Sequence, residues 1–132
     1  MRGNVVEDRS ADWSRQARRD ISGAKNAMES GFHEWACFIA QQGAEKAVIA
    51  LYKKLRVAPY GHDVAELLRR LGPRIRVPDE VMADARSLDR YYTLTRSPDT
   101  GTPESHFTRD DAEEALCMAE RVLEHCERIL AG

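Results

Sequence analysis

The feature of this 132-residue sequence that most restricts its fold is a helical spacing of apolar residues along most of its length. In the first clear segment, which begins at Asp12, these residues recur at intervals of three and four: Trp13, Ala17, Ile21, Ala24 and Met28. That spacing places them on one face of a helix. No stretch alternates polar and apolar residues for long enough to make a convincing strand. The sequence therefore predicts an all-α fold.

The second predicted helix runs from Phe32 to about Leu55 and is the longest and least polar segment. Ser30 and Gly31 separate it from the first helix, and residues 57–61, which contain Pro and Gly, end it. Its apolar stripe includes Phe32 and Trp35. Small residues occupy other positions: Ala40, Gly43, Ala44 and Ala50. Because small residues let a neighbouring helix approach closely, we expect this helix to be the central one of a bundle.

Three further helices complete the predicted bundle. A short third helix carries Val64, Leu67, Leu68 and Leu71, and His62 or Asp63 is expected to cap it. The fourth begins near Pro78 or Asp79, and Thr108 is expected to cap the fifth. We expect an antiparallel bundle of four longer helices plus one short helix in a domain of residues 12–130. Residues 1–11 are predicted to be an N-terminal tail.

Composition excludes several classes of protein. No apolar stretch is long enough to span a membrane, and the N-terminus has no apolar core of the kind found in signal peptides. Three cysteines without a CxxC pair, Cys37, Cys117 and Cys126, are expected to be free thiols in apolar helical surroundings. We therefore expect a cytoplasmic protein without a membrane span. The histidines form no metal-binding pattern, and no phosphate-binding glycine loop is present, so neither a metal nor a cofactor is predicted.

The net charge of −2 conceals an uneven distribution of charge along the chain. Residues 53–96 carry 10 basic and 6 acidic side chains, whereas residues 97–132 carry 3 basic and 9 acidic ones. A basic cluster lies around the end of the third helix: Arg69, Arg70, Arg74 and Arg76. Such a cluster can attract nucleic acid or an acidic partner, although a solvated helix face is the simpler interpretation.

Polar residues of the fourth helix are candidates for a binding site. Arg86 and Arg90 are four residues apart and share one helix face, and Tyr92, Arg96 and Asp99 follow. Arginine presents a planar fork of donors suited to phosphate, and tyrosine offers a stacking surface. The alternative is structural, because arginines near a helix end often bind its last carbonyl groups, and Arg96 with Asp99 can fix the loop that follows.

A second set of polar residues interrupts the long second helix: Gln41, Gln42, Glu45 and Lys46. In a helix that is otherwise apolar, such residues usually face solvent or a contact between helices. A role in packing or in a dimer contact is therefore a better interpretation of these four residues than a chemical one.

Four segments together resemble the HEPN domain family: residues 12–52, YGHDVAELLRRL, ARSLDRYYTLTRSPD and HFTRDDAEEALCMAERVLEHCERIL. The most specific part is WACFIAQQGAEKAVIALY, which combines aromatic, Gln-Gln and Ala-Glu-Lys positions on one helix. The resemblance implies a helical bundle that packs as a homodimer, with a groove for nucleotide or RNA. It also implies a minimal nucleotidyltransferase as partner, in a toxin–antitoxin pair.

Active toxins of the family are metal-independent endoribonucleases with an Arg-x(4–6)-His motif, and the resemblance places Arg96 at the arginine. Positions 101–103, where the histidine is expected, hold Gly, Thr and Pro, and the nearest histidine is His106, with nine residues in between. Arg56 and His62 have the right spacing but lie between the second and third helices, and we interpret that match as coincidence.

Two functions stay open at this point. The first is a homodimer that binds nucleotide or RNA through residues of the fourth helix and its following loop: Arg86, Arg90, Tyr92, Arg96 and Asp99. The second is a ribonuclease toxin that uses Arg96 and His106, in which the arginine would steady the scissile phosphate and the histidine would move a ribose proton.

Overall fold

The computed structural model describes residues 8–96 and 107–132 of the chain. It contains four longer helices and one short helix: α1 (Ser10–Glu29), α2 (His33–Leu55), α3 (Val64–Arg70), α4 (Asp79–Arg96) and α5 (Arg109–Ala131). Within these two ranges no strand is present. The all-α prediction is confirmed.

Helix α2 lies at the centre of the bundle, as its small residues predicted. It packs against α1, α3, α4 and α5, whereas the main neighbours of α1 are α2 and α5. At Gly43 helix α1 packs closely against α2, since a Cβ atom there would stand 3.0 Å from Ile21 Cγ1 and 3.2 Å from the Ala17 carbonyl oxygen. A larger side chain at this position would push the two helices apart.

The helix ends agree with the sequence at α5 and disagree at α3. Thr108 Oγ1 accepts the Asp111 N–H, and the Asp111 carboxylate accepts the Thr108 N–H, which is a complete capping box. The expectation that His62 or Asp63 caps α3 is correct for the position of Asp63 and wrong for its contact. Asp63 occupies the N-cap position, but its side chain makes no capping hydrogen bond. The capping carboxylate comes instead from α4, as described below.

Two of the three cysteines behave as predicted. Cys37 and Cys126 are buried, and burial raises the pKa of each thiol to about 12, so neither is a nucleophile at neutral pH. Cys117 is exposed on α5, so its predicted place on an apolar helix face is wrong. None of the helices in the described ranges is long and apolar enough to cross a membrane.

Candidate functional site

The outer face of α4 carries Arg86 and Arg90, which are both exposed and stand one helical turn apart. Arg90 Nη2 donates to Ser87 Oγ at 3.2 Å. Neither arginine forms an ion pair with a carboxylate of the residues that the structure describes. Two guanidinium groups on one helix face, without an ion-pair partner among the described residues, are suited to bind an anion such as a phosphate group.

The tyrosines of α4 hold the helix against its neighbours. The Tyr92 ring stacks on Phe38 of α2 with the ring centroids 5.8 Å apart, and Tyr91 meets Phe107 edge to face at 5.9 Å. Burial raises the pKa of the Tyr91 hydroxyl to about 12. Tyr92 is half-buried, and Phe38 already covers one face of its ring.

Several large apolar side chains are exposed at the end of the bundle where α2 begins and α4 ends. Phe32, Trp35 and Leu94 are each more than half exposed, at 55%, 53% and 52%. Trp35 contacts the Phe38 ring edge to face at 5.5 Å. We call this surface the aromatic end: Phe32, Trp35, Phe38, Tyr92 and Leu94. The sequence assigned Phe32 and Trp35 to an apolar stripe of α2, and the structure shows that both face outward.

Arg96 is the last residue of α4, so its backbone ends the helix beside the aromatic end. Its side chain is outside what the structure describes. Asp99 and His106 lie outside the described residues as well. The predicted cooperation of Arg96 with Asp99 or His106 therefore stays a prediction.

The basic cluster at the end of α3 is partly neutralised by Glu66. Arg69 Nε and Arg70 Nε donate to its carboxylate at 2.9 and 3.1 Å, and these contacts lower the pKa of Glu66 to about 2. Arg74 and Arg76 are exposed. The cluster therefore has a smaller net positive charge than its four arginines alone would give.

A polar cluster joins α2, α3 and α4, and its members are Gln41, Glu45, His62 and Asp89. The Asp89 carboxylate accepts the N–H groups of Val64 and Ala65 at 2.9 and 3.0 Å, and so caps α3 from a neighbouring helix. Gln41, which is fully buried, donates from Nε2 to Asp89 Oδ1 at 3.2 Å. Burial raises the pKa of Asp89, and these three hydrogen bonds oppose the rise.

The other half of this cluster is a carboxylate and an imidazole. Glu45 is only 8% exposed, and its Oε2 lies 3.4 Å from His62 Nδ1. Its Oε1 is buried and has no hydrogen-bond partner in the described parts of the chain. Burial raises the pKa of Glu45, and the contact with His62 partly offsets that rise.

The sequence drew attention to Gln41 and Glu45 but did not connect them with His62 or Asp89. Glu45 and His62 are separated by 17 positions, and Gln41 and Asp89 by 48. The available signal was the occurrence of Gln and Glu in the most apolar helix of the chain, which we interpreted as a packing or dimer contact. A carboxylate in a helix buried on most sides requires a partner from another element, and that requirement points to a histidine or an N-terminal helix turn nearby.

The chain is similar to a known family model and to several solved structures. A family model of the HEPN domain matches residues 10–129. The crystal structure of TT1696 from Thermus thermophilus is 38% identical, with a TM-score of 0.88 over 92% of this chain and 98% of that chain. ST0689, an archaeal HEPN homologue, is 35% identical, with a TM-score of 0.78 over 92% and 97% of the two chains.

A third structure is similar over the same extent. The HEPN domain protein TM0613 from Thermotoga maritima is 33% identical, with a TM-score of 0.77 over 91% of this chain and 98% of that chain. No curated protein matches the sequence. Each solved structure is matched over nearly its whole length, so the likeness covers the entire bundle and not one helical hairpin.

Proposed function

The chain belongs to the HEPN domain family, and from that premise we propose that it is a homodimer that binds nucleotide or RNA. We further propose that it acts with a nucleotidyltransferase-type partner in a toxin–antitoxin-like system. The observation that carries the binding proposal is the outer face of α4. Arg86 and Arg90 stand exposed there, without a carboxylate partner in the described ranges.

The chemistry of that face favours a phosphate-bearing ligand. Four residues of an α-helix advance by about 6 Å along its axis, so the two guanidinium groups can reach neighbouring phosphate groups of one strand. Each guanidinium can bind phosphate oxygens through two parallel N–H groups. Arg96 ends the same helix, and we propose that it belongs to the same binding site.

The aromatic end supports the homodimer. A group of large apolar side chains exposed at one end of a small domain often marks a surface that another protein covers. A second copy of the chain that docks through this surface would bury Trp35 and Leu94 at a two-fold interface. It would also bring the C-terminal ends of two α4 helices close to one another.

Binding is tested with a fluorescently labelled single-stranded RNA by fluorescence anisotropy at low salt. We expect the double variant Arg86→Ala/Arg90→Ala to bind at least tenfold more weakly than wild type, because two phosphate contacts are lost. Arg19→Ala is the matched control, since Arg19 is an exposed arginine on α1, which packs mainly on α2 and α5. Equal losses in both variants, or none in the double variant, would contradict the proposal.

The homodimer is tested by light scattering coupled to size-exclusion chromatography. We expect twice the chain mass for wild type and a monomer for Trp35→Glu, which places a charge in the proposed interface. Lys25→Glu, at an exposed position of α1, is the control and should stay dimeric. A dimeric Trp35→Glu variant would refute the location of the interface, and a monomeric wild type would refute the homodimer itself.

The partner is tested by co-expression with any small nucleotidyltransferase that the neighbouring gene encodes. We expect the two proteins to purify together and growth inhibition by this chain, if present, to be relieved by the partner. The alternative proposal, an endoribonuclease that uses Arg96 and His106, requires RNA cleavage that is lost in Arg96→Ala and in His106→Ala. Cleavage that persists in both variants would exclude it.

A further inference from the structure

The residue that follows α2 has a backbone conformation that usually requires glycine. Arg56 is left-handed, with φ 58° and ψ 40°, and it is the only non-glycine residue with a positive φ in the described parts of the chain. Its N–H donates to the Lys53 carbonyl oxygen at 3.3 Å, and the Val57 N–H donates to the Tyr52 carbonyl oxygen at 3.0 Å. This pair of hydrogen bonds is the Schellman ending of a helix, whose left-handed position is usually occupied by glycine.

An arginine at this position costs stability. A left-handed backbone is strained in a residue with a Cβ atom and is not strained in glycine. Positive charge is favourable near the C-terminal carbonyl groups of a helix, but Lys53 and Lys54 in the last turn of α2 already supply it. Helix electrostatics alone therefore does not account for Arg56, and strained residues of this kind are concentrated at functional sites.

Arg56 lines a surface cleft of about 490 Å³, which lies between the start of α1 and the loop after α2. We call it the Arg56 cleft. Two other basic side chains line it, Arg9 and Lys53, and the rest of its lining is largely apolar: Tyr52, Val57, Ala58 and Pro59. No carboxylate lines the cleft among the residues that the structure describes. Its volume is within the range of small-molecule sites.

The other two cations of the Arg56 cleft are held by neighbouring side chains of α1. Arg9 Nε donates to Asp12 Oδ2 at 2.6 Å. Lys53 Nζ lies over the Trp13 ring, 5.7 Å from its centroid. Because both side chains are already restrained, an anion that binds between them orders fewer rotamers and loses less conformational entropy.

The charge around the cleft is positive when its neighbouring carboxylates are included. Asp8 pairs with Lys54 at 3.7 Å, and Asp12 pairs with Arg9. In the described ranges these two carboxylates stand against four basic side chains: Arg9, Lys53, Lys54 and Arg56. An anion in the cleft therefore meets an excess of positive charge.

We propose that the Arg56 cleft binds a small organic anion, with one carboxylate or phosphate group on an apolar body. The planar guanidinium of Arg56 donates two parallel N–H groups to the oxygen atoms of the anion, and Arg9 and Lys53 add their charge. The apolar body packs on Val57 and Pro59. This site is separate from the outer face of α4, and it does not depend on the RNA-binding function proposed above.

The test is an NMR titration of nitrogen-15-labelled protein with phenyl phosphate and, separately, with benzoate, which distinguishes a phosphate from a carboxylate ligand. Benzyl alcohol is the neutral control. We expect the backbone amides of residues 53–57 to shift and saturate with at least one of the two anions and not with the alcohol. Wild-type protein without a saturable shift at millimolar concentrations of either anion overturns the proposal.

Arg56→Gly is expected to change stability and binding in opposite directions. Glycine adopts the left-handed backbone without strain, so the melting temperature should rise by a few degrees. Loss of the guanidinium should weaken binding of the anion at least about tenfold. Arg56→Ala should weaken binding to the same extent without raising the melting temperature, because alanine keeps the strain. Arg128→Ala is the matched control and should bind as wild type does, since Arg128 is an exposed cation in the last turn of α5.

Three results with these variants overturn the proposal. Arg56→Gly that binds the anion as tightly as wild type would show that the guanidinium makes no contact with it. A lower melting temperature in Arg56→Gly would show that arginine is not strained at this position. An equal loss of binding in Arg128→Ala would assign the affinity to the general positive charge of the surface and not to the cleft.

Discussion

The hydrogen bonds by which Asp89 caps α3 allow us to predict how much stability the protein loses when this side chain is removed. Asp89 lies on α4, yet its carboxylate accepts the first two N–H groups of α3, from Val64 and Ala65, and the amide of Gln41. Asp89→Ala removes all three of these hydrogen bonds at once. A seven-residue helix has few other sources of stability, so we expect α3 to loosen.

The expected magnitude combines two losses and one gain. Loss of an N-cap costs about 1 kcal/mol and at most about 2 kcal/mol. Gln41 is fully buried, and leaving its amide without an acceptor costs about 1–3 kcal/mol. Burial raises the pKa of Asp89, which shows that the native state carries a desolvation cost, and the variant escapes that cost. We expect a net loss of about 2–4 kcal/mol in the free energy of unfolding.

Urea denaturation at pH 7 measures this loss, and two variants serve as comparisons. Asp63→Ala changes the residue at the N-cap position itself, whose side chain makes no capping bond, and should cost about 0.5 kcal/mol or less. Asp89→Asn keeps one oxygen acceptor and should fall in between. The reasoning is refuted if Asp63→Ala costs more than Asp89→Ala, because α3 would then be capped from its own N-cap residue.

Three other predictions concern stability. The Asp84 carboxylate is 8% exposed and accepts two hydrogen bonds from Arg121, at 2.8 and 2.9 Å. Because Arg121→Ala leaves this buried charge without its partner, urea denaturation should show a loss of about 2–3 kcal/mol in the free energy of unfolding. An unchanged free energy of unfolding would contradict this prediction. Gly43→Ala should lower the melting temperature through its clash with α1, whereas Gly23→Ala, with nothing within 4 Å, should raise stability by about 0.5–1 kcal/mol. Burial raises the pKa of Glu45 above 4.5, so the folded protein holds this proton more tightly than the unfolded chain does. The stability that this proton contributes is fully present below pH 4.5 and is lost as the pH rises through the raised pKa. Glu45→Gln cannot ionise, so the free energy of unfolding of the variant relative to wild type should be greater at pH 8 than at pH 4. An equal difference at the two pH values would refute the raised pKa of Glu45.

The sequence predicted the helices well because their signals are local. The spacing of apolar residues located α1, α2, α4 and α5, and small residues identified α2 as the central helix. Thr108 and Asp111 are three residues apart, so the capping box of α5 is visible in the sequence. Each of these features is contained within one or two turns of chain.

The errors arose where the deciding contact joins distant parts of the chain. Asp89 caps a helix that begins 25 residues earlier, and no local pattern favours it over the adjacent Asp63. Trp35 lies on the most apolar helix, and apolar spacing alone does not show which side of a central helix lacks a neighbour. The pairing of Glu45 with His62 was missed for the same reason, because it depends on how the loop after α2 folds back.

Similar limits apply to the candidate binding site. The sequence placed Arg86 and Arg90 on one face of α4, and the structure confirms that placement. It also offered Tyr92 as a stacking surface, and the structure shows one face of that ring on Phe38. The spacing of residues in the sequence shows which of them share a helix face, whereas the burial of a ring depends on the neighbouring helix.

The central claim, that the outer face of α4 binds phosphate groups of RNA, is tested most directly by the salt dependence of binding. Anisotropy titrations of wild type and Arg86→Ala/Arg90→Ala at several salt concentrations give the slope of log K against log salt. Each phosphate contact on a single strand contributes about 0.7 to that slope. The account predicts a slope shallower by about 1.4 for each protomer in contact with the strand. Identical slopes for the two proteins would contradict it.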